Sequence, residues 1–207
     1  GDETRVVAAN EALLARDHRD TEAAEHLAAF YRRSQRWDDL VELLFLRIQG
    51  AQQADELHQA AQYWAEVAQI RNGPLSDADG ALEAWREAWS LDPALVDAAR
   101  KLAASATERG EWRDLAALWD RHAEAVESPT DKASAYIELG RVSDEKLRDV
   151  SAAVAAYEMA IEADPSAVAA MNALVAVFGR TRKYAELAAT LERKAQVSMW
   201  KARARGA

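Results

Sequence analysis

The chain has 207 residues, no cysteine, a 50% hydrophobic composition and a formal net charge of −9. The missing cysteines exclude a disulfide framework and a thiolate metal site, and no apolar run approaches the ~20 residues that span a bilayer. The acidic balance argues against nucleic acid as the main ligand, because that binding is driven by phosphate neutralisation.

The four prolines and eight glycines fall mainly between periodic runs, so the chain reads as all-helical. Seven tryptophans stand among many alanines, a few large anchors among small residues that let helices approach closely. The start, Gly1-Asp2-Glu3-Thr4, lacks a charged-then-apolar signal pattern, and a cytoplasmic location is favoured. It also lacks Met, which gives it the look of a processed or excised end.

Apolar periodicity predicts helices at 5–17, 21–34, 37–50, 54–71, 78–91, 94–109, 112–127, 131–146, 150–163, 166–180 and 183–200. The first is a lone second helix: Leu13 and Asp17 align with Ala88 and Asp92 at an offset of 75, and its partner is missing. Asn72-Gly73-Pro74 breaks the fourth helix, and Asp-Pro at 92–93 and 164–165 ends two others. Ser128-Pro129-Thr130-Asp131 supplies a stop and a capping group.

These elements repeat. Residues 79–93, with Ala81, Trp85, Ala88 and Pro93, return at 151–165 as Ala153, Tyr157, Ala160 and Pro165, an offset of 72. The turns at Trp37-Asp38-Asp39-Leu40, Trp112-Arg113-Asp114-Leu115 and Tyr184-Ala185-Glu186-Leu187 recur at offsets of 75 and 72. Three extra residues near Gln49–His58 account for the difference, in a loop or in a lengthened helix. Interleaved half-periods of about 36 residues predict a helical solenoid.

The pattern resembles the tetratricopeptide repeat (TPR), W-x2-L-G-x2-Y, then A-x3-F-x2-A, then P. Tyr136, Leu139, Gly140, Ala153, Tyr157, Ala160 and Pro165 carry the resemblance, as do Trp64, Val67, Ala68, Ala81, Trp85, Ala88 and Pro93. Both copies have one extra residue between helices, and Arg71 and Ser143 replace the Tyr of the first helix. The repeats between them diverge, with Leu40, Leu115 and Leu187 where the family has Ala, and Arg47, His122 and Lys194 at the second Ala. The resemblance implies a right-handed superhelical solenoid of antiparallel helix pairs. Its expected parts are an N-terminal half-repeat at 1–20, five repeats at 21–55, 56–93, 94–129, 130–165 and 166–200, and a basic tail at 201–207.

No catalytic constellation emerges. His18, His26, His58 and His122 lack helix-face metal spacing, and no metal-protease, nucleophile-elbow or phosphate-loop motif occurs. Asp38 and Asp39 read as helix-start carboxylates, and His122 as a packed core histidine. Trp64, Trp85 and Trp112 fall on packing or turn positions, which leaves Trp89 and Trp200 for exposed contacts. No cofactor and no enzymatic activity are expected.

Function then falls to the surface. In a solenoid the first helix of each pair lines the concave face, and in the family resembled that groove takes a peptide. The residues at groove-facing positions are Glu22, Glu25, Arg32, Gln62, Gln69, Asp97, Arg100, Arg141, Asn172 and Arg180. Family members that grip a C-terminal carboxylate use a Lys/Asn set, but Glu25, Ala29, Glu66 and Gln69 stand in comparable places here. Arg100, Arg141, Asn172 and Arg180 point instead to an acidic or polar peptide. From Arg180 onward come eight basic residues (Arg180, Arg182, Lys183, Arg193, Lys194, Lys201, Arg203, Arg205) and two acidic ones, a surplus of six that leaves −15 for residues 1–179.

The expected function is a non-enzymatic protein–protein interaction module that binds a protein or peptide on its concave face, within a larger bacterial protein. The alternatives are a self-assembling array, stacking through its exposed end repeats into a homo-oligomer, and a regulatory or docking arm of a larger enzyme. Neither nucleic acid nor membrane insertion is expected.

Overall fold

A computed structural model describes residues 2–16 and 20–206, all of it helix, turn and short connection. Eleven α-helices follow one another among these residues: α1 (Asp2–Arg16), α2 (Thr21–Arg33), α3 (Trp37–Gln53), α4 (Leu57–Asn72), α5 (Ala78–Leu91), α6 (Val96–Arg109), α7 (Trp112–Ala125), α8 (Pro129–Glu145), α9 (Val150–Ala163), α10 (Val168–Arg180) and α11 (Tyr184–Gly206). Asp17 and His18 lie outside the described residues. No described helix is long and apolar enough to cross a membrane.

The chain forms two compact units, residues 1–102 and 103–207. In the first, α1 packs on α2, α2 on α3, α3 on α4 and α4 on α5. In the second, α7 packs on α8, α8 on α9, α9 on α10 and α10 on α11. Connections this short turn each helix back along its predecessor, so neighbours run antiparallel.

The helices begin and end where the sequence places caps. Asp77 and Asp149, related by the offset of 72, each accept a backbone N–H three positions on, from Gly80 and Ala152, both at 2.9 Å. Such a bond satisfies one of the orphan donors of a helix start. Asp92 and Asp164 close α5 and α9 with φ of −139° and −129°, the extended backbone imposed by the following ring of Pro93 and Pro165. Their carboxylates then accept from Ala94 and Ser166 at 2.9 and 2.8 Å.

The turns keep the same count. Left-handed residues fall at Gln35, Gly110 and Arg182, with φ of 56°, 70° and 57°, and again at Ser76 and Arg148, with φ of 53° and 58°. Their spacings are 75 and 72, then 72. Only Gly110 takes this conformation without a Cβ penalty; for an ordinary L-residue it costs roughly 1–2 kcal/mol.

The three extra residues near Gln49–His58 lengthen a helix: α3 has 17 residues and α7 has 14. Most other boundaries fall within about three residues of the sequence expectation, and two of the differences have a clear physical reason. Helix α8 starts at Pro129, not 131, because Ser128 caps it and Pro occupies its first turn. Helix α11 runs to Gly206, so the stretch from 201 continues a helix and is not a separate tail. Lys, Ala and Arg are good helix formers, and no proline or glycine intervenes before Gly206.

Each core is built from small residues closed by a few large ones. On α5 the stripe Ala81, Ala84 and Ala88 is buried beneath α4, and on α9 Ala153, Ala156 and Ala160 are buried beneath α8. Between them sit Trp85 and Tyr157, each only 4% exposed. Gly140 shows why the seam needs a small residue: a Cβ there would stand 2.5 Å from Cε1 of the Tyr157 ring. In the second unit Ala170, Met171, Leu174, Val177 and Phe178 of α10 complete the core around Tyr157 and Ile161.

Candidate functional site

The first helices of the pairs, α2, α4, α6, α8 and α10, carry all ten groove candidates, and every one of them is exposed. In the first unit two clefts open along this face. One, of about 540 Å³, lies between α2, α3 and α4, with Ala24, Ala28, Leu43 and Leu44 among its walls and Glu25, Arg32, Arg47, Glu56, Tyr63 and Glu66 around them. The other, of about 420 Å³, is lined by Gln62, Glu66 and Gln69 of α4, Trp85 of α5, and Val96, Asp97 and Ala98 of α6. Glu66 lines both clefts.

The structure therefore brings Glu25 and Arg32 into the first cleft, and Gln62, Gln69 and Asp97 into the second. Glu22 is exposed one turn before Glu25 on α2, and Arg100 is exposed one turn after Asp97 on α6. In the second unit Arg141 lies on α8, and Asn172 and Arg180 lie on α10.

The cations of this face are largely engaged. Arg32 pairs with Glu66 across from α2 to α4. Arg180 reaches from α10 to Asp144 of α8, with one contact at 2.9 Å. Arg141 is held by Glu138, one turn back on its own helix, at 2.6 Å, with Glu145 at 3.7 Å on the next turn. Arg141 and Arg180 are thus neutralised by Glu138, Asp144 and Glu145, which removes the field that singled them out for an acidic peptide. Exposed pairs of this kind add at most about 1 kcal/mol each to stability. Their main effect is on what the surface offers a ligand.

The same cluster reaches the core. Burial pushes the Tyr157 phenol up to about 12, with help from the nearby Asp144 and Glu145 carboxylates. Tyr31 is likewise raised to about 12, by burial and then by its hydrogen bond to Glu11 of α1, 2.9 Å away.

Sequence reasoning missed Arg47, Tyr63 and Asp144. Arg47 stacks over the Tyr63 ring at 5.0 Å and donates to its hydroxyl at 2.5 Å. The Arg32–Glu66 and Asp144–Arg180 pairs are spaced 34 and 36 residues apart. Opposite charges one repeat apart on first helices were the signal that would have found them.

His122 and His58 both have partners within the fold. His122 is buried at 3% exposure and stands edge-on to Trp119 at 5.9 Å, the packed histidine expected. His58 bonds Asp92 at 2.5 Å through Nδ1, and Gln62 meets its Nε2 at 2.7 Å. Among the described residues no group of three or more His, Cys, Asp or Glu side chains could hold a metal ion. Trp200 is exposed, but Trp89 is half-buried, contrary to its expected role as an exposed contact. Its place on α5 corresponds to Ile161 of α9, a core residue at 2% exposure.

Tandem antiparallel helix pairs, small residues along their seams and a polar first-helix face define the fold as that of a tetratricopeptide-type repeat protein. Solved structures with this fold resemble the chain along most of its length. A crystal structure of MamA matches with a TM-score of 0.53 at 17% identity, covering 88% of this chain and 94% of that one. A second MamA crystal structure gives 0.52 at 16%, covering 86% and 97%. YrrB, described as a TPR protein with an unusual peptide-binding site, gives 0.50 at 12%, covering 96% and 98%. At these identities the likeness is one of fold. No protein-family model matches the chain, and no curated protein matches its sequence.

Proposed function

We propose that this chain is a non-enzymatic protein-interaction module, an array of five repeats and an N-terminal half-repeat that binds a peptide or protein along its first-helix face. The contacts are Glu22, Glu25, Arg32, Gln62, Gln69, Asp97, Arg100, Arg141, Asn172 and Arg180, joined by Glu66. One observation carries this reading: two clefts with apolar walls and polar rims follow one another along α2, α4 and α6 and share Glu66. A peptide seated there buries apolar side chains while its backbone and charges meet the rim. YrrB, of the same fold, supports peptide binding as the use of such a surface.

The charge of the first unit sharpens the ligand. Residues 1–102 hold 11 basic and 19 acidic residues, a net −8. The clefts carry Glu25, Glu56, Glu66 and Asp97 against Arg32 and Arg47. The favoured peptide is therefore basic, and the arginines of the second unit, already paired, set position more than affinity.

The test is selection from a displayed random peptide library on the immobilised chain, followed by titration of the selected peptides. Enriched sequences should carry Lys or Arg. Their binding should weaken at least about tenfold with Glu66→Lys plus Asp97→Lys, the loss expected of central anchors. Arg141→Glu, at a paired arginine of the second unit, should change affinity little. Acidic selected peptides, or binding indifferent to Glu66→Lys and Asp97→Lys, would overturn the reading.

A further inference from the structure

A cleft of about 600 Å³ lies within the second unit, larger than either cleft described in the first. Helices α9 and α11 both pack on α10 and, as alternate members of an antiparallel series, run the same way. The groove between them has a buried apolar floor of Ile161, Leu174 and Phe178, none more than 4% exposed. Its α9 wall is Ala155, Glu158, Met159 and Glu162, and its α11 wall is Glu186, Ala189, Thr190 and Arg193. Each wall follows i, i+3, i+4, i+7, a strip along one helix face about 10 Å long. None of the ten first-helix candidates lines it.

The charge of the groove is one-sided. From 149 to 179 the sequence has four acidic residues and no basic one. Asp149 and Asp164 accept backbone N–H groups at helix ends, which leaves Glu158 and Glu162 to the groove. Among the described residues, Glu158, Glu162 and Glu186 form no ion pair, although Arg193 lines the same cleft, whereas Glu138, Asp144 and Glu145 are all paired. One repeat earlier, at the offset of 72, Glu158 and Glu162 are Arg86 and Ser90. The stacking of repeats therefore does not require carboxylates at these two positions.

A helix that follows a second helix packs elsewhere. Helix α8 packs on α7, yet Asp114, Ala117 and Arg121, the counterparts of Glu186, Ala189 and Arg193, are all exposed. Helix α4 packs on α3, where Asp39 is half-buried but Glu42 and Leu46, the counterparts of Ala189 and Arg193, are exposed. The buried stripe of α3, Val41, Leu44 and Ile48, corresponds to Ala188, Leu191 and Ala195 on α11, across the helix from the groove. Chain continuing past α11 on the same pattern leaves the groove open.

We infer that this groove docks an amphipathic helix of a partner protein, with apolar side chains on its contact face and Lys or Arg on its flanks. The apolar side chains pass between the small Ala155 and Ala189 towards Ile161, Leu174 and Phe178. The flanking cations meet Glu158, Glu162 and Glu186, and a helix supplies them at the same i, i+4 spacing that sets Glu158 and Glu162 apart. This is the helix-in-groove mode of recognition. It does not rest on the first-unit clefts and shares no residue with them.

The probe is a short labelled peptide of leucine and lysine, its leucines at i, i+3, i+4 and i+7. It is titrated by fluorescence anisotropy into full chain carrying Glu66→Lys and Asp97→Lys, which takes the first-unit clefts out of the measurement. Binding should be saturable and should weaken as salt is added. Glu158→Lys plus Glu162→Lys should weaken it at least about tenfold, and so should Ala189→Trp, which fills the groove. All three residues are exposed, so thermal unfolding should be unchanged. A peptide of the same composition with a central proline should bind at least about tenfold more weakly, because it cannot form the helix. Four results would overturn the inference: no saturable binding, affinity unchanged by the groove substitutions, equal binding of the proline peptide, which would make the occupant an extended segment, or sedimentation of a dimer that Glu158→Lys plus Glu162→Lys dissolves, which would make it a second copy.

Discussion

Ala68 and Trp85 of the α4–α5 hairpin occupy the places that Gly140 and Tyr157 take in the α8–α9 hairpin, at the offset of 72. Both seams are closed, with Ala68 at 0% exposure and Trp85 and Tyr157 at 4%. The aromatic can therefore be an indole opposite alanine or a phenol opposite glycine. The surfaces above the two seams differ more. Trp85 lines a cleft that also carries Glu66 and Asp97, whereas Tyr157 lies under a cluster in which Arg141 and Arg180 pair with Glu138, Asp144 and Glu145. Equivalent packing thus supports an acidic cleft in one unit and a cluster of paired charges in the other. The core keeps the repeat in register, and the first-helix surface is free to specialise.

Removing the aromatic tests the shared part of this comparison most severely. Trp85→Ala and Tyr157→Ala should each lower stability by about 3–5 kcal/mol, as for large buried rings elsewhere, read by urea denaturation of the full chain. Either change passing without cost would show that the two seams are not equivalent. Gly140→Ala comes next. Its methyl would press on the Tyr157 ring and should cost about 1–3 kcal/mol, despite alanine's better helix propensity. Gly140→Ala combined with Tyr157→Leu should recover part of that loss, and a stabilised Gly140→Ala protein would mean the ring is free to give way.

The caps probe equivalence more finely. Asp77→Ala and Asp149→Ala should each cost about 1 kcal/mol, and matching shifts in thermal midpoint would confirm that the two hairpins start alike. The smallest effect at neutral pH belongs to the Tyr157 hydroxyl. Its folded pKa is raised from 10.0 to about 12, so the folded state holds this proton where the unfolded chain has lost it. Stability from this group is intact below pH 10 and falls as pH rises from 10 towards 12. Tyr157→Phe should flatten the decline across that window, in unfolding free energies measured at several pH values. Tyr31 contributes a parallel decline, raised by burial and Glu11.

Much of the fold was legible because the signals are local and chemical. The helix-start aspartates, the Asp-Pro closures and the alanine stripes state their roles through residue type and spacing. Gln35 and Arg182 were not legible as left-handed residues, because only their counterpart at 110 is a glycine. Trp89 looked unassigned by the family pattern, although the same place on α9 holds a buried isoleucine. The ten groove positions could be read as exposed, since first-helix spacing settles that. Their partners show only when charges one repeat apart are compared, because Arg32–Glu66 and Asp144–Arg180 join helices in neighbouring repeats. Long side chains choose such partners in space, and helical periodicity within one element says nothing about them.

The three extra residues of α3 bear on how such a chain changes length. Three residues advance a helix by about 4.5 Å and turn it by about 300°, enough to misdirect whatever follows. The protein absorbs this in the connector. After α3 the chain turns through left-handed Asp55, with φ of 60°; after α7 it leaves through extended Val126, with ψ of 136°. In both cases a helix then packs along the one before it. A gene built from 72-codon copies can therefore gain three codons within a helix and keep its phase, provided the adjoining turn is rewritten with it. The hairpins 57–91 and 129–163 keep the offset of 72 across that change, and the few residues between helices are where a change of length is taken up.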